Sequence, residues 1–277
     1  MNRNFEIPAG TDAILRCSHF PAQSKAKSLI VIAHGYKGFK DWGMFPYTAA
    51  SLCSEHEVIT FNFSHAGIGE DLQNFTELDK FARNTYKREL KDLEILLSYL
   101  SQHPKFGGLP LFLLGHSRGA GDCLLYALEH SDELSGVISW NGITNLDLFT
   151  DEQKQEMKEK GRAYVLNGRT GQQMPLDAII LEDLDQQKER YNILKRMENS
   201  RFPLVLIQGT LDSPGLRKGS EQLIAVRPDV SWVQIAGGNH TFGSVHPFDG
   251  ATPELDRAIA ETRDFIDQTL RSGSHYI

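Results

Sequence analysis

The sequence predicts an α/β protein with a mostly parallel central sheet and helices on both of its faces. Short apolar runs alternate with longer amphipathic ones, the rhythm of strand and crossover helix. Several of the short runs are apolar throughout and end in Gly, Ser or Asn, as strands covered on both faces do. The chain has 277 residues and is 40% hydrophobic, enough for one large core, so a single domain with an insertion is favoured over two equal halves.

Residues 5–20 read as one or two antiparallel edge strands. SLIVIAHG (28–35) and EVITFNFS (57–64) follow as buried strands, then FARNTYKRELKDLEILLSYL (81–100) as a helix with Leu90, Leu93, Leu97 and Leu100 on one face. LPLFLLGHS (109–117) is the fifth strand and runs into the helical CLLYALEH; LSGVISWNG (134–142) is the sixth. Residues 144–200 break the alternation, being highly charged and without a solid strand core, and read as a cap insertion within one domain spanning 1–277. Inside it AYVLNGRTG predicts a hairpin turning at Asn167-Gly168, flanked by helices. PLVLIQGT (203–210) and VSWVQIAGG (230–238) complete the sheet. The last helix is expected from Pro253 to Leu270, with Thr252 as N-cap.

Composition excludes several classes. A net charge of -7 leaves no electrostatic footprint for nucleic acid. Cys17, Cys53 and Cys123 are odd in number and lack CxxC spacing, so reduced thiols are expected and neither a disulfide framework nor a zinc site. MNRNFEIPAG lacks the apolar core of a signal peptide, and runs such as Leu29 to Ala33 are too short to span a bilayer. A soluble, cytoplasmic protein without membrane attachment is the expectation. HAGIGEDL lacks the third glycine of G-x-G-x-x-G, and neither a P-loop nor H-E-x-x-H occurs, so no cofactor or metal is implied.

The chemistry concentrates at Gly115-His116-Ser117-Arg118-Gly119. G-x-S-x-G arises by chance in roughly one chain in ten of this length, so its surroundings carry the weight. An apolar strand before it and an apolar-periodic helix after it would lift Ser117 clear of the sheet at a helix N-terminus. A serine hydroxyl needs a base, and the base an orienting carboxylate. Asp212 follows the strand PLVLIQGT, and His240 follows VSWVQIAGG; His246, later in the same loop, is the rival base. An ordinary turn aspartate is the plain alternative for Asp212. For a developing oxyanion, the backbone N–H groups of Tyr36, in His34-Gly35-Tyr36-Lys37-Gly38, and of Arg118 are the expected donors.

HGYKG, GHSRGA, GTLD and GGNHTFG, in that order across residues 28–270, resemble the α/β-hydrolase-fold serine hydrolases. Within them the chain is most similar to the dienelactone-hydrolase-like and cinnamoyl or feruloyl esterase-like group, which also resembles prolyl-oligopeptidase-type (S9) catalytic domains. The resemblance implies a hydrolase acting through an acyl-enzyme on a small-molecule ester. Serine at position 117 departs from dienelactone hydrolases proper, whose nucleophile is cysteine. A small peptidase and an acyl-thioester hydrolase are the enzyme alternatives; a non-catalytic binding protein on the same scaffold is the alternative of another class.

Trp140 and Asn141, ending the sixth strand, and His65, in Ser64-His65-Ala66-Gly67, stand where they either line the substrate pocket or are a packed Trp and an ordinary loop. Tyr164, Leu166 and Met174 of the insertion either close over a substrate or form the insertion's own small core. The Arg118 side chain is expected on a surface carboxylate, with only its N–H in use.

Overall fold

The structure is a computed structural model describing residues 3–273. Two strands, β1 (Arg3–Gly10) and β2 (Ala13–Phe20), open the chain as an antiparallel pair. There follow β3 (Leu29–Ala33), α1 (Met44–Leu52), β4 (Glu57–Asn62), α2 (Leu78–Ala82), α3 (Tyr86–Gln102), β5 (Leu111–His116), α4 (Arg118–Ala127) and β6 (Gly136–Trp140). Next come α5 (Asp151–Lys160), β7 (Arg162–Leu166), β8 (Gln173–Asp177), α6 (Ile179–Gln186) and α7 (Ile193–Met197). The chain closes with β9 (Leu204–Gly209), α8 (Pro214–Val226), β10 (Ser231–Ile235) and α9 (Pro253–Gly273).

Eight strands form one sheet in the order β1-β2-β4-β3-β5-β6-β9-β10. From β4 to β10 every neighbour is parallel; β2 runs against them, and β1, antiparallel to β2, runs with them again. Each parallel strand sends alternate side chains to opposite cores. Val31, Leu113, Val137 and Leu206 pack under α3 and α4, which supply Leu90, Leu93, Leu97, Leu124 and Leu125. Ile30, Ile32, Leu114, Ile138 and Ile207 pack on α1 and α9 through Met44, Phe45, Leu255 and Ile259. Burial on both sides explains why these segments are apolar runs and not alternating ones. Because the strands share a direction, the loops at their C-terminal ends gather along one edge of the sheet.

Two local features depart from the sequence reading. The helix expected over 81–100 is two helices, because the Thr85 side chain accepts the Arg88 N–H and caps α3, breaking it from α2. Phe81 then belongs to a separate core beside the insertion. The hairpin β7–β8 forms, but its turn is wider than Asn167-Gly168. Asn167 accepts from the Thr170 and Gly171 amides and donates to the Gln172 carbonyl, and it is Gly171 that takes positive φ, at 70°. Thr252 does cap α9, accepting the Leu255 N–H at 3.1 Å.

The segment between β6 and β9 has a small core of its own, which it shares with the loops after β3 and β4. Met157, Ala163, Met174, Leu176 and Ile180 meet Phe39, Ile68, Phe75 and Phe81 there. α5 is held by local signals despite its charge: a Thr150–Gln153 capping box at its start and Gly161 with φ 80° at its end. No helix among the described residues is long and apolar enough to cross a membrane.

Candidate active site

The turn from β5 into α4 is tight because glycine stands at both approaches. A Cβ at Gly115 would lie 2.4 Å from Ala120 Cα, and one at Gly119 would lie 2.4 Å from the His34 carbonyl oxygen. Neither position admits a side chain. Ser117 between them has φ 56° and ψ -118°, a strained conformation for any residue but glycine.

Ser117, Asp212 and His240, far apart in sequence, meet at this edge of the sheet. Ser117 Oγ and His240 Nε2 are 3.0 Å apart, and His240 Nδ1 is 2.8 Å from Asp212 Oδ1. With the Nδ1 proton donated to the carboxylate, Nε2 is left as an acceptor for the serine hydroxyl. The Asp212 side chain is fully covered, and its oxygens also accept from Gln208 Nε2 at 2.9 Å and the Ser213 N–H at 2.8 Å. Burial works against the Asp212 charge, but the His240, Gln208 and Ser213 hydrogen bonds outweigh it and hold the carboxyl below the usual carboxylate range. His240 keeps a 41% exposed side chain, so its ring is reachable from solvent.

The His240 loop is tied down by its backbone. The His240 carbonyl accepts from His116 Nε2 and from Asn141 Nδ2, each at 2.8 Å. Burial, and then the neighbouring His240, push the His116 pKa down to about 3, so His116 is a neutral donor. Asn141 also accepts the Gly209 N–H at 2.9 Å, stitching β6, β9 and the histidine loop together.

Facing Ser117, a Cβ on Gly35 would come within 3.0 Å of Ser117 Cβ, so the loop after β3 lies flat against the serine. Among the described residues, the Tyr36 and Arg118 amides donate to no backbone acceptor in the turns, loops and caps. Lys37, with φ 55°, reaches from this loop to the Leu166 carbonyl at the tip of β7.

Several expected site residues are placed elsewhere. Trp140 does not line a pocket: it is fully buried in the core under α9, with its indole N–H donated to Thr262 Oγ1 at 3.0 Å. Asn141 is equally buried and acts as the stitch just described. His65 is buried on Ser64 Oγ at 2.9 Å, with its pKa pushed down to about 4, chiefly by burial. The rival His246 accepts the Gly43 N–H and stacks on Trp42, away from Ser117. Met174 is core, whereas Tyr164 and Leu166 are exposed. The Arg118 side chain is on a carboxylate, but a buried one: Glu89 on α3, 2.7 Å away. The sequence reading missed Gln208, Glu89 and the positioning role of Asn141. Glu89 left a signal, a carboxylate one helical turn before Leu93 on the apolar stripe.

Two hollows of about 950 and 1270 Å3 lie away from the serine and have none of Ser117, Asp212 or His240 in their walls. Among the described residues no cluster of His, Cys, Asp or Glu is arranged to hold a metal ion.

Sheet order, crossover pattern and the strand-turn-helix carrying Ser117 define the α/β-hydrolase fold. Solved structures share it. Est1E from Butyrivibrio proteoclasticus, also solved with ferulic acid bound, superposes with a TM-score of 0.71 at 13% identity, over 97% of this chain and 99% of that one. A soluble variant of monoglyceride lipase from Saccharomyces cerevisiae, in complex with a substrate analog, superposes at 0.69 with 19% identity, covering 97% and 95%. Dienelactone hydrolase from Anabaena variabilis superposes at 0.64 with 13% identity, covering 97% of each. Among curated sequences, a monoglyceride lipase homolog of Monkeypox virus is 26% identical over 131 residues. That match takes in 47% of this chain and 44% of the viral protein, less than half the length of either. No family model matches the chain.

Proposed function

We propose that the protein is a serine hydrolase that cleaves small carboxylic esters through an acyl-enzyme. The observation that carries the reading is the unbroken hydrogen-bonded line from Ser117 Oγ through the His240 ring to Asp212, with links of 3.0 and 2.8 Å.

In this mechanism Ser117 Oγ attacks the ester carbonyl carbon while its proton passes to His240 Nε2. Asp212, kept ionised, accepts the Nδ1–H and stabilises the imidazolium. The oxyanion is received by the Tyr36 and Arg118 amides, helped by the positive end of α4. The tetrahedral intermediate collapses as His240 returns the proton to the departing alcohol. Water, deprotonated by His240, then attacks the acyl-enzyme and regenerates Ser117. The exposed Tyr164 and Leu166 at the hairpin and Leu211 beside Asp212 offer apolar contacts to the ester's substituents. Residues 144–200 serve as a cap, since their hairpin meets the loop that carries Tyr36.

A fluorophosphonate probe and p-nitrophenyl acetate test the reading. Wild type is expected to be labelled at Ser117, and Ser117→Ala to lose labelling and at least about 10⁴-fold in turnover with an unchanged melting temperature. Retained turnover in that variant rejects it. A panel of feruloyl esters, dipeptidyl amides and acyl-CoA then separates esterase from peptidase and thioesterase.

A further inference from the structure

Behind the first turn of α4 lies a group of charges that the ester chemistry leaves unused. Arg118 is 2% exposed, yet its guanidinium cannot give up its proton in a protein. Its Nε donates to Glu89 Oε2 at 2.7 Å and its Nη2 to the Asn84 carbonyl at 3.4 Å. The other Glu89 oxygen accepts from Asn84 Nδ2 at 2.8 Å. The guanidinium carbon stands 4.0 Å from the centre of the Tyr86 ring and 5.6 Å from that of Tyr36. Tyr36 stacks in turn on Phe81. Asp122 is buried nearby, and burial first, then the Glu89 charge, raise its carboxyl well above the usual range.

A buried ion pair is a poor source of stability, since apolar residues of the same volume do as well or better. What this pair supplies is fixed geometry. The guanidinium belongs to one proposed oxyanion donor and stands over the ring of the other at 5.6 Å from its centre, while α3 holds it from behind through Glu89 and Tyr86.

Resting on the serine-hydrolase reading above, we infer that the Arg118 side chain, anchored by Glu89, clamps Tyr36 and so sets the spacing of the two oxyanion donors. Glu89 and the Arg118 guanidinium are positioning groups, buried beneath the site. The donors strengthen most as negative charge develops, so a loosened clamp lowers kcat and leaves KM in place.

Steady-state kinetics of the full chain on p-nitrophenyl acetate test this with Arg118→Met, Arg118→Lys, Glu89→Gln and Tyr36→Leu. Melting temperatures report folding, and fluorophosphonate labelling counts competent sites. Arg118→Met and Glu89→Gln are expected to lose about 100-fold in kcat, the scale of removing one oxyanion donor. Arg118→Lys keeps the charge and should recover roughly 10-fold of that loss, and Tyr36→Leu should lose about 10-fold. KM stays within about threefold and the pH–rate profile does not move. Folded variants with wild-type kcat, or changes confined to KM, overturn the clamp. Tyr36→Leu leaves the Arg118–Glu89 pair whole and so decides the matter even where the charge variants do not fold. A wild-type chain that is neither labelled nor active sinks the serine-hydrolase reading and the clamp with it; an active wild type with unaffected variants sinks the clamp alone.

Discussion

On one side of Ser117, His240 and Asp212 sit in loops at the ends of β10 and β9, where Gln208, His116 and Asn141 hold them by uncharged hydrogen-bond donors. On the other side, Tyr36 and Arg118 rest on an ion pair sealed inside the protein. The first arrangement leaves an imidazole 41% exposed. The second resists displacement, because separating a buried cation from its carboxylate is strongly unfavourable. A base needs access and small motion, whereas dipoles that receive a charge act best when already in place.

Three measurements probe that contrast, beginning with the one expected to cost most activity. Asp212→Asn keeps the shape of the first side but favours the wrong imidazole tautomer. We expect kcat on p-nitrophenyl acetate to fall about 10⁴-fold with little change in melting temperature; a loss under tenfold means Asp212 does not orient the ring.

Acid should not distinguish the two sides. His34 behind the Tyr36 loop and His116 behind the His240 loop are both buried and neutral, their pKa values pushed down, chiefly by burial, to about 4 and about 3. Both values lie below the unfolded histidine value of about 6.5. Their contribution to stability is therefore complete above that pH and is lost as pH falls from there through 4 towards 3. At roughly 1.4 kcal/mol per pKa unit, the pair removes several kcal/mol. Circular dichroism should record cooperative unfolding as pH falls through that window, with His34→Gln or His116→Gln shifting the midpoint to lower pH. An unchanged melting temperature at pH 4 contradicts this.

Asn141 gives the smallest effect. Its φ of 46° suits Asn or Gly, and its side chain bridges Gly209 and the His240 carbonyl. Asn141→Gly and Asn141→Ala should both lower kcat about 10-fold through the loosened loop. Alanine should melt a few degrees lower than glycine because it also strains the backbone. Equal melting temperatures would show that the strain is relieved elsewhere.

Most of the sheet was legible because strands buried on both faces are apolar at nearly every position, as β3 is throughout. Ser117, Asp212 and His240 were legible for a related reason. Each lies two or three residues after a glycine near the C-terminal end of a parallel strand, and parallel strands deliver such ends to one edge. Trp140 misled because the last position of a strand looks poised over the edge, whereas strand parity turns its indole into the α9 core. Thr85 was missed because the apolar periodicity runs on past it, and a cap is a competition between side chain and backbone that periodicity does not register. The wider turn after Leu166 was missed for its neighbours: the Gln172 side chain is drawn to the Phe75 carbonyl across the insertion's core.

Local pattern was thus enough to establish the succession of strands, the tight turn at Ser117 and which loops carry polar side chains to it. It could do so because burial and backbone geometry act residue by residue along the chain. Packing alone settled that Arg118 turns inward to Glu89, that Asn141 braces the His240 loop and that Trp140 faces away. Those outcomes depend on which groups from distant segments become neighbours once water is excluded, and a buried charge or amide takes whichever partner the fold brings within reach.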